Sequence, residues 1–535
     1  MNASLFAPHV RSSLTLLLAC VASACSTLPE RFAETPKTPS TSIAPVADSV
    51  LSRQIETRVS ANGGTSGFRP LLGGNNALMS RVVLADNARH SIDLQYYIFA
   101  NDASGRLVAQ RLLAAADRGV RVRILLDDLD IVKEDKLLDA LDAHPNVEVR
   151  LFNPLRIRDR SIVSKVGQFV LEAQRLNRRM HNKSFIVDGV AAIIGGRNIG
   201  DAYFNVGDDV HFRDLDVLSI GPIVPRIASM FDRYWNDEAA IPVTAFSATD
   251  ANHKNVAKAR ERLGGDAHVY SPEDYQKAEN VVNGVDDPSK AERGIAWFWG
   301  DARLVADAPE KVDPAEDDNK QARIERPIRA MLESAQQQIL VISPYFIPGE
   351  EVESVLEAAA KRGVAIEALT NSLAANDEPE VHAGYAHYRK PLLVAGATLY
   401  EFRPVGHQNP KRAYGRSSGV SLHAKTMVID HHQVFIGSMN FDPRSRDLNT
   451  EMGVIVESPG LADAIEQFFA RATSPENAFH VMLDPTSHAK PERRALRWAA
   501  LEDGKEVIFR HEPECSLLKR LRVDVVRFLP IEGLL

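Results

Sequence analysis

Two stretches of the chain carry the same succession of apolar patterns. In the first half, an apolar run at 91–99 precedes leucines at helical spacing and a second apolar run at 120–126. In the second half the same order returns, with apolar runs at 338–347 and 364–369. Short continuous apolar runs are typical of buried strands, and apolar residues three or four apart are typical of a helix between them. Each stretch is therefore predicted to form a β-α-β unit.

A glycine follows the predicted helix in both units. Gly119 and Gly363 each come directly after an arginine, where a left-handed cap ends a helix. Because strand-helix-strand crossovers are right-handed in nearly all proteins, the two strands of each unit are expected to be parallel. The repeat therefore predicts an α/β protein with two similar halves.

The rest of the chain divides by composition. A length of 535 residues favours two domains over a single core. The segment 26–66 is rich in Ser, Thr and Pro and is interpreted as a flexible tether, and the polar segment 246–322 as a linker or insertion. The remaining segments are interpreted as a first domain at 67–245, a second domain at 323–480 and a C-terminal extension packing on the core at 481–535.

The first 25 residues have the pattern of an export signal. Arg11 precedes an apolar run at 14–24 that is shorter than the roughly 20 residues needed to span a bilayer. Cys25, after small residues, resembles the acylated cysteine of bacterial lipoproteins. Cys20 is a competing site, and a signal cleaved elsewhere or not at all stays open. After cleavage at Cys25, Cys515 is the sole thiol, which excludes an intramolecular disulfide.

One motif, H-x-K-x4-D, occurs once in each half. Its members are His181, Lys183 and Asp188 in the first half, and His423, Lys425 and Asp430 in the second. In an extended segment, side chains two apart point to the same face, so each histidine and its lysine are expected to act together. Further polar residues follow a glycine after each copy: Asn198 in the first half, and Ser438 and Asn440 in the second. The glycine steps let an anion approach the backbone.

These residue types suit displacement at a phosphodiester. One histidine can attack phosphorus as neutral imidazole while a second protonates the leaving oxygen as imidazolium. Two lysines and two asparagines can hold the non-bridging oxygens and stabilise charge in the transition state. The motifs are thus expected to form one site that needs neither a metal nor another cofactor.

The doubled motif resembles the phospholipase D superfamily over nearly all of residues 67–535. The resemblance implies two phospholipase D-like α-β-α sandwich domains with mixed sheets, packed as a pseudo-twofold pair. It also implies that an acidic residue after each catalytic histidine orients its ring, which points to Asp214, 33 residues after His181, and Glu451, 28 after His423. Asp188 and Asp430 are then structural, with the N-terminal histidine as nucleophile, through a phosphohistidine, and the other as acid.

Within the superfamily the chain looks like the bacterial cardiolipin synthase C group. The matching stretches are 93–97, 176–183, 195–201, 234–236 and 528–532. This resemblance implies phospholipid substrates, with phosphatidylglycerol and phosphatidylethanolamine joined to make cardiolipin and release ethanolamine. The Ser/Pro-rich tether departs from the group's pattern, which leaves the mode of anchoring open. An accessory protein also stays open.

Charge and the N-terminus bear on partners and location. A formal net charge of -8 argues against nucleic acid as a partner, since such domains are usually basic. We expect a lipid-anchored protein of the bacterial envelope that faces the periplasm and associates with the inner or outer membrane. Hydrolysis to phosphatidic acid, phosphodiesterase activity on another substrate and a silent envelope scaffold are alternative functions.

Three groups of residues also have interpretations that involve no function. Asp214 and Glu451 could be surface or structural carboxylates. The adjacent His431 and His432 could bind a metal, although such pairs in loops are usually solvated. A basic cluster could seat anionic head groups or be a solvated face. Its members are Arg156, Arg158, Arg160, Lys165, Arg175, Arg178 and Arg179.

Overall fold

The computed structural model describes most of the chain. The described residues are 32, 35–128, 135–155, 172–206, 211–246, 257, 261, 263, 271–283, 296–313, 323–376, 378–404 and 420–527. The signal segment with Cys20 and Cys25, the basic residues from Arg156 to Lys165, and the stretch 528–532 lie outside these ranges.

The first half is built on a mixed sheet. Its strands are β1 (Ser66–Leu71), β2 (Ser91–Tyr96), β3 (Arg121–Asp127), β4 (Val147–Phe152), β5 (Ser184–Val187), β6 (Ala191–Gly195), β7 (His211–Arg213), β8 (Asp216–Ile220) and β9 (Ala240–Pro242). They pair in the order β1-β8-β6-β5-β2-β3-β4-β9, with β7 apart. Strands β2, β3 and β4 are parallel, and the other pairs are antiparallel.

The second half repeats this order. Its strands are β10 (Phe298–Ala306), β11 (Gln338–Ile342), β12 (Ala365–Asn371), β13 (Thr398–Phe402), β14 (Val420–Leu422), β15 (Thr426–Ile429), β16 (Gln433–Gly437), β17 (Met452–Glu457), β18 (Ala478–Leu483), β19 (Leu496–Glu502) and β20 (Lys505–Phe509). They pair in the order β10-β17-β16-β15-β11-β12-β13-β18-β19-β20, and β11, β12 and β13 are parallel. Both predicted β-α-β units are therefore confirmed.

Helices cover both faces of each sheet. Those of the first half are Val50–Ala61, Gly74–Asn87, Ala103–Asp117, Asp135–Asp142, Ala173–Leu176, Asp201–Phe204, Ile223–Asn236 and Pro272–Asn283. Those of the second half are Glu325–Ser334, Gly349–Lys361, Pro379–Ala395, Pro443–Asp447, Pro459–Ala472 and Leu517–Val526. Within the described ranges, none of these helices combines the length and the apolar character needed to cross a membrane.

The cores show how the halves pack. One apolar core lies between the first sheet and the helices Gly74–Asn87 and Ala103–Asp117. A matching core lies in the second half under Gly349–Lys361. A third core is continuous across both halves and joins the helices Ile223–Asn236 and Pro459–Ala472. Each sheet is thus sandwiched by helices, and the expected pair of α-β-α sandwiches is confirmed.

The expectation of a flexible tether at 26–66 does not hold for its later part. Ser49 caps the helix Val50–Ala61, which buries Leu51 and Ile55. Upstream, the amide and hydroxyl of Ser42 donate to Asp232 at 2.7 and 2.8 Å. Composition identified the prolines that keep 36–46 irregular, but it could not show that polar groups of the first domain hold this segment in place.

The interpretation of 246–322 as a linker is likewise corrected by β10. The first residues of β10 pair with β1, from Phe298 to Gly300, and the rest pair with β17, from Asp301 to Ala306. A Cβ at Gly300 would lie 2.1 Å from the carbonyl oxygen of Glu457, so the crossing point requires glycine. The acidic and proline-containing sequence around β10 favoured a linker, and the strand was therefore not predicted.

Candidate active site

Two short pairings between the halves build the site. Strand β7 of the first half pairs in parallel with β14 of the second, with Arg213 opposite Leu422. A matching bridge joins Met180 to Thr450. Asp214 follows Arg213 and therefore lies beside His423, which follows Leu422. In the same way, His181 after Met180 lies beside Glu451 after Thr450. The pairings therefore place each motif histidine next to an acidic residue of the opposite half.

The carboxylates are crossed between the halves. Nδ1 of His181 lies 3.0 Å from both carboxylate oxygens of Glu451. Nδ1 of His423 lies 2.6 Å from Oδ2 of Asp214. The resemblance to the phospholipase D superfamily had associated each carboxylate with the histidine of its own half, and this assignment is wrong. Both carboxylates are fully buried, so the interpretation as surface groups is excluded.

The motif lysines lie buried beside the histidines. Nζ of Lys183 donates to the carbonyl oxygen of His181 at 2.7 Å, and Nζ of Lys425 to that of His423 at 2.5 Å. Burial, together with the charge of Lys425, lowers the pKa of Lys183 to about 7, against the opposing effect of Glu451. The two ammonium groups are close enough to act on one another, and so the two motifs converge on one place.

The motif aspartates tie strand ends. Asp188 accepts the backbone amides of the three residues 89–91, at 2.9, 2.8 and 2.9 Å. Asp430 accepts the amides of 336–338 in the same way, at 2.9, 2.7 and 2.9 Å. Both aspartates have a positive φ, near 50°, which turns the chain after the motif strand. This geometry fits the structural role that the resemblance implies.

The downstream polar residues have unequal surroundings. The side chain of Asn198 accepts the amide of Ile98 at 3.1 Å and donates to the hydroxyl of Tyr203 at 2.9 Å. Oδ1 of Asn440 is buried and has no hydrogen-bond partner among the described residues. Ser438 donates its hydroxyl to Glu451 at 2.5 Å. Ser438 therefore acts through the carboxylate behind His181.

Several residues that the motifs did not reveal complete the site. The hydroxyl of Ser445 donates to Glu451 at 2.7 Å. Tyr97 lies edge-on to His181, with ring centres 5.1 Å apart. Tyr203 and Phe212 flank His423 at 5.3 and 5.1 Å. An aromatic at the end of β2 was visible in the sequence, but nothing in the sequence connected it with a residue more than eighty positions away.

One glycine of the first half is required by the site. A Cβ at Gly196 would lie 2.2 Å from Oδ1 of Asp214. The glycine step expected to admit an anion thus also makes room for the carboxylate that contacts His423. Any larger residue at 196 would displace Asp214 and with it the histidine.

Burial and charge lower the pKa of both histidines, but to different extents. Burial, reinforced by Lys183 and Lys425, holds the pKa of His181 well below its usual value. Burial and Lys425 also lower the pKa of His423, but Asp214 opposes them. Burial alone would raise the pKa of Asp214, yet His423 and Lys425 lower it overall. Burial raises the pKa of Glu451 to about 7. The site therefore favours a neutral His181 and a more readily protonated His423.

The histidine pair at 431–432 lies elsewhere. Both rings are about half exposed, and Nδ1 of His431 lies 2.8 Å from Oε1 of Glu466. In the part of the chain that the structure describes, no three His, Cys, Asp or Glu side chains are grouped in a way that could hold a metal ion.

The described members of the basic cluster form internal contacts. Arg179 is fully buried against Asp127 at 2.7 Å, and Arg175 donates to Glu172 at 2.5 Å. Arg178 donates to the carbonyl oxygen of Lys311 at 2.7 Å. Arg175 and Arg179 are buried, so neither the head-group face nor the solvated face holds for these two. All three arginines brace the segment that leads into His181.

Known proteins resemble this chain in sequence and in fold. The family described as "Cardiolipin synthase, PLD-like domain" matches residues 82–235 and 328–473. The chain is 40% identical over 483 residues to cardiolipin synthase C of Escherichia coli strain K12, covering 89% of this chain and 98% of that protein. It is 28% identical over 434 residues to cardiolipin synthase 2 of Bacillus anthracis, covering 81% and 67%.

The fold has a counterpart among crystal structures. That of phosphatidylserine synthase from Haemophilus influenzae Rd KW20 superposes with a TM-score of 0.54 at 12% identity, covering 90% of this chain and 100% of the other. At this identity the likeness concerns the fold. Two matched repeats, two motif copies and one shared site agree, and the chain therefore belongs to the phospholipase D superfamily, in the family of cardiolipin synthase PLD-like domains.

Proposed function

We propose that the protein is a phosphatidyltransferase that makes cardiolipin from phosphatidylglycerol and phosphatidylethanolamine. The observation that carries this proposal is the site itself, in which each motif histidine contacts a buried carboxylate of the other half. The names of the relatives supply the substrate class, since cardiolipin synthases recur among proteins that match most of the chain.

The first step forms a phosphohistidine. Nδ1 of His181 faces Glu451, which leaves Nε2 of the neutral imidazole free to attack phosphorus of phosphatidylethanolamine as the nucleophile. A bond forms between Nε2 and phosphorus, and the bond between phosphorus and the ethanolamine oxygen breaks. His423, with Nδ1 on Asp214, gives its Nε2 proton to that oxygen, and ethanolamine leaves.

In the second step a new alcohol attacks, His423 accepts a proton and His181 is the leaving group. A hydroxyl of phosphatidylglycerol attacks phosphorus and passes its proton to His423. The bond between phosphorus and His181 breaks, which gives cardiolipin and the original enzyme. Lys183 and Lys425 lie beside the two histidines, where their charge would stabilise the phosphoryl oxygens in both transition states.

A trapping experiment tests the order of the histidines. His423→Ala incubated with a phosphatidyl-labelled ester of p-nitrophenol, whose leaving group needs no protonation, should retain label on the protein, whereas His181→Ala should retain none. The reverse pattern would exchange the two roles. Chromatography of lipids made by the purified wild type with both substrates should show cardiolipin, and accumulation of phosphatidic acid alone would instead identify a hydrolase.

The proposal includes a lipid anchor. Cys25 after a short apolar run supports acylation there, which would hold the protein on a membrane of the bacterial envelope, facing the periplasm. Cys25→Ser with Cys20 intact should accumulate as precursor and lose incorporation of labelled palmitate. Retained labelling in this variant, lost in Cys20→Ser, would move the anchor to Cys20.

A further inference from the structure

The helix Leu517–Val526 exposes an aliphatic stripe. Leu517, Leu518, Leu521 and Val525 are 69%, 79%, 51% and 66% exposed. Three of them are spaced four apart and the fourth adjoins the first, so they form one continuous face. Among the residues that the structure describes, these four make up most of the strongly exposed large apolar side chains. We call them the leucine stripe.

The opposite face of this helix is fixed to the second half. Val523 is buried in a small core with Leu373 and Ala383. Nζ of Lys519 donates to the carbonyl oxygen of Asn376 at 3.1 Å. Ser516 caps the start of the helix by accepting the amide of Lys519. The helix is therefore held in one orientation, with the leucine stripe turned away from the protein.

The charge of the helix contrasts with that of the whole chain. Between 517 and 527 there are four cations and one anion, a local charge of +3, while the chain carries a formal charge of -8. The cations are Lys519, Arg520, Arg522 and Arg527, and the anion is Asp524. Aliphatic residues bordered by Lys and Arg are the pattern of a helix that lies in the surface of an anionic bilayer.

The helix is also connected to the active site. Lys519 contacts the backbone of Asn376, which lies five residues after Asn371 at the end of β12. The side chain of Asn371 accepts the amide of Leu422 and donates to its carbonyl oxygen, both at 2.9 Å. Leu422 directly precedes His423. Only a few contacts thus separate the helix from the proposed acid.

We propose that the leucine stripe is a docking surface for an anionic phospholipid bilayer and positions the His423 side of the site at the membrane. The inference rests on the proposed function, because an enzyme that joins two bilayer lipids must reach both head groups from the membrane surface. An interfacial helix supplies this contact by placing its apolar face at the boundary between head groups and acyl chains. Contact of the leucine stripe with a partner protein or with a second copy of the chain is the alternative to bilayer docking.

A site-specific label tests the stripe in the full chain. Cysteines 20, 25 and 515 are changed to serine, and one thiol is introduced as Leu521→Cys for an environment-sensitive fluorophore. With vesicles of phosphatidylcholine and phosphatidylglycerol, the emission should shift to the blue and be quenched by brominated acyl chains. A label at Ile508→Cys, on β20 and 50% exposed, is the matched control and should change little.

Binding of unlabelled variants gives a second measure. In the same cysteine-free chain, Leu518→Glu with Val525→Glu should weaken binding to these vesicles by about tenfold or more, since charges replace residues that enter the interface. Ile508→Glu should leave binding unchanged. Vesicles of phosphatidylcholine alone should bind the parent chain more weakly than the anionic vesicles.

The outcomes separate this inference from the proposed function. A label at 521 that stays silent while the parent chain makes cardiolipin would overturn the docking surface and leave the function standing. A blue shift without any cardiolipin would overturn the function alone. A shift at 521 that needs no vesicles and grows with protein concentration would assign the stripe to a second copy, which also overturns bilayer docking.

Discussion

Nζ of Lys311 lies 2.8 Å from Oδ2 of Asp307, and the same oxygen accepts the backbone amide of Glu451 at 2.9 Å. The ammonium group also donates to the carbonyl oxygen of Ser445 at 3.0 Å. Both side chains of the pair are almost completely buried. Since Ser445 and Glu451 contact each other and Glu451 contacts His181, this ion pair positions the carboxylate behind the proposed nucleophile.

Removal of the cation from this pair should destabilise the protein strongly. Lys311→Met leaves Asp307 buried without its counter-ion and should lower the free energy of unfolding by about 3–5 kcal/mol. The double variant Asp307→Asn with Lys311→Met should recover a large part of that loss, as measured by denaturant unfolding. Lys277→Met is the control, because its pair with Glu273 is highly exposed, and it should be close to neutral. If Lys311→Met and Lys277→Met lowered the free energy of unfolding equally, this account would be contradicted.

The motif histidines should be separable from the neighbouring histidine pair. His181→Ala and His423→Ala should each abolish cardiolipin formation, because each removes a group that exchanges a bond or a proton with the substrate. His431→Ala should retain turnover, since this half-exposed ring contacts Glu466 outside the site. Lipid chromatography of the purified variants is the measurement. An inactive His431→Ala that folds normally would show that the second motif has been misassigned.

The crossed carboxylates predict different chemistry for two similar substitutions. Asp214→Asn and Glu451→Gln should each lower turnover by about 10²- to 10⁴-fold, because each carboxylate orients a histidine. A phosphatidyl ester of p-nitrophenol needs no protonation of its leaving group. With this substrate, Asp214→Asn should recover the initial burst of p-nitrophenol, whereas Glu451→Gln should not. Recovery in Glu451→Gln instead would mean that the carboxylates serve the opposite steps.

The pH dependence should show a narrow optimum near neutrality. Burial first, with Lys425, lowers the pKa of Lys183 to about 7, so its charge is lost as the pH rises through 7. Burial raises the pKa of Glu451 to about 7, so its carboxylate is lost as the pH falls through 7. The ratio kcat/KM of the free enzyme should therefore fall on both sides, with the two groups titrating as a linked pair. In Lys183→Arg, which stays charged, the alkaline fall should move to higher pH.

Glu451→Gln should stabilise the protein although it slows turnover. The pKa of Glu451 is raised in the folded state, so its ionised form opposes folding above the usual carboxyl range. The penalty is absent below about pH 4 and complete above about pH 8, where the substitution should add about 1–2 kcal/mol to the free energy of unfolding. Denaturant midpoints at both values measure this. Glu466→Gln should show no such difference, and a Glu451→Gln variant less stable at pH 8 would contradict the burial argument.

The sequence was sufficient for the parts of the site that are local in the chain. Two residues apart on a strand, His181 and Lys183 share a face whatever the tertiary structure. The β-α-β units follow equally from short-range periodicity and from the glycines after their helices. The crossed pairs do not, because a three-residue strand and a single bridge determine which carboxylate meets which histidine. No local pattern specifies such pairings.

Residues that act through others were also beyond the sequence. Asp307 and Lys311 lie in a segment whose composition resembles a linker, and their role depends on a backbone amide 144 positions after Asp307. Ser445 follows the second motif closely, yet a serine before an arginine carries no sign of contact with Glu451. Arg175 and Arg179 of the basic cluster show the same limit, since no local pattern reveals that they are buried in ion pairs with Glu172 and Asp127.

Strand β10 couples the unfolding of the two halves. Its first residues hydrogen-bond to the sheet of one half and its last residues to the sheet of the other. Separating the halves would expose an unpaired edge on both sheets, and loss of either sheet would leave half of β10 without partners. The chain should consequently melt as one cooperative unit, and neither repeat could be excised as a self-sufficient module. Two fragments cut between the repeats would regain a working site only by reassembling along this shared strand.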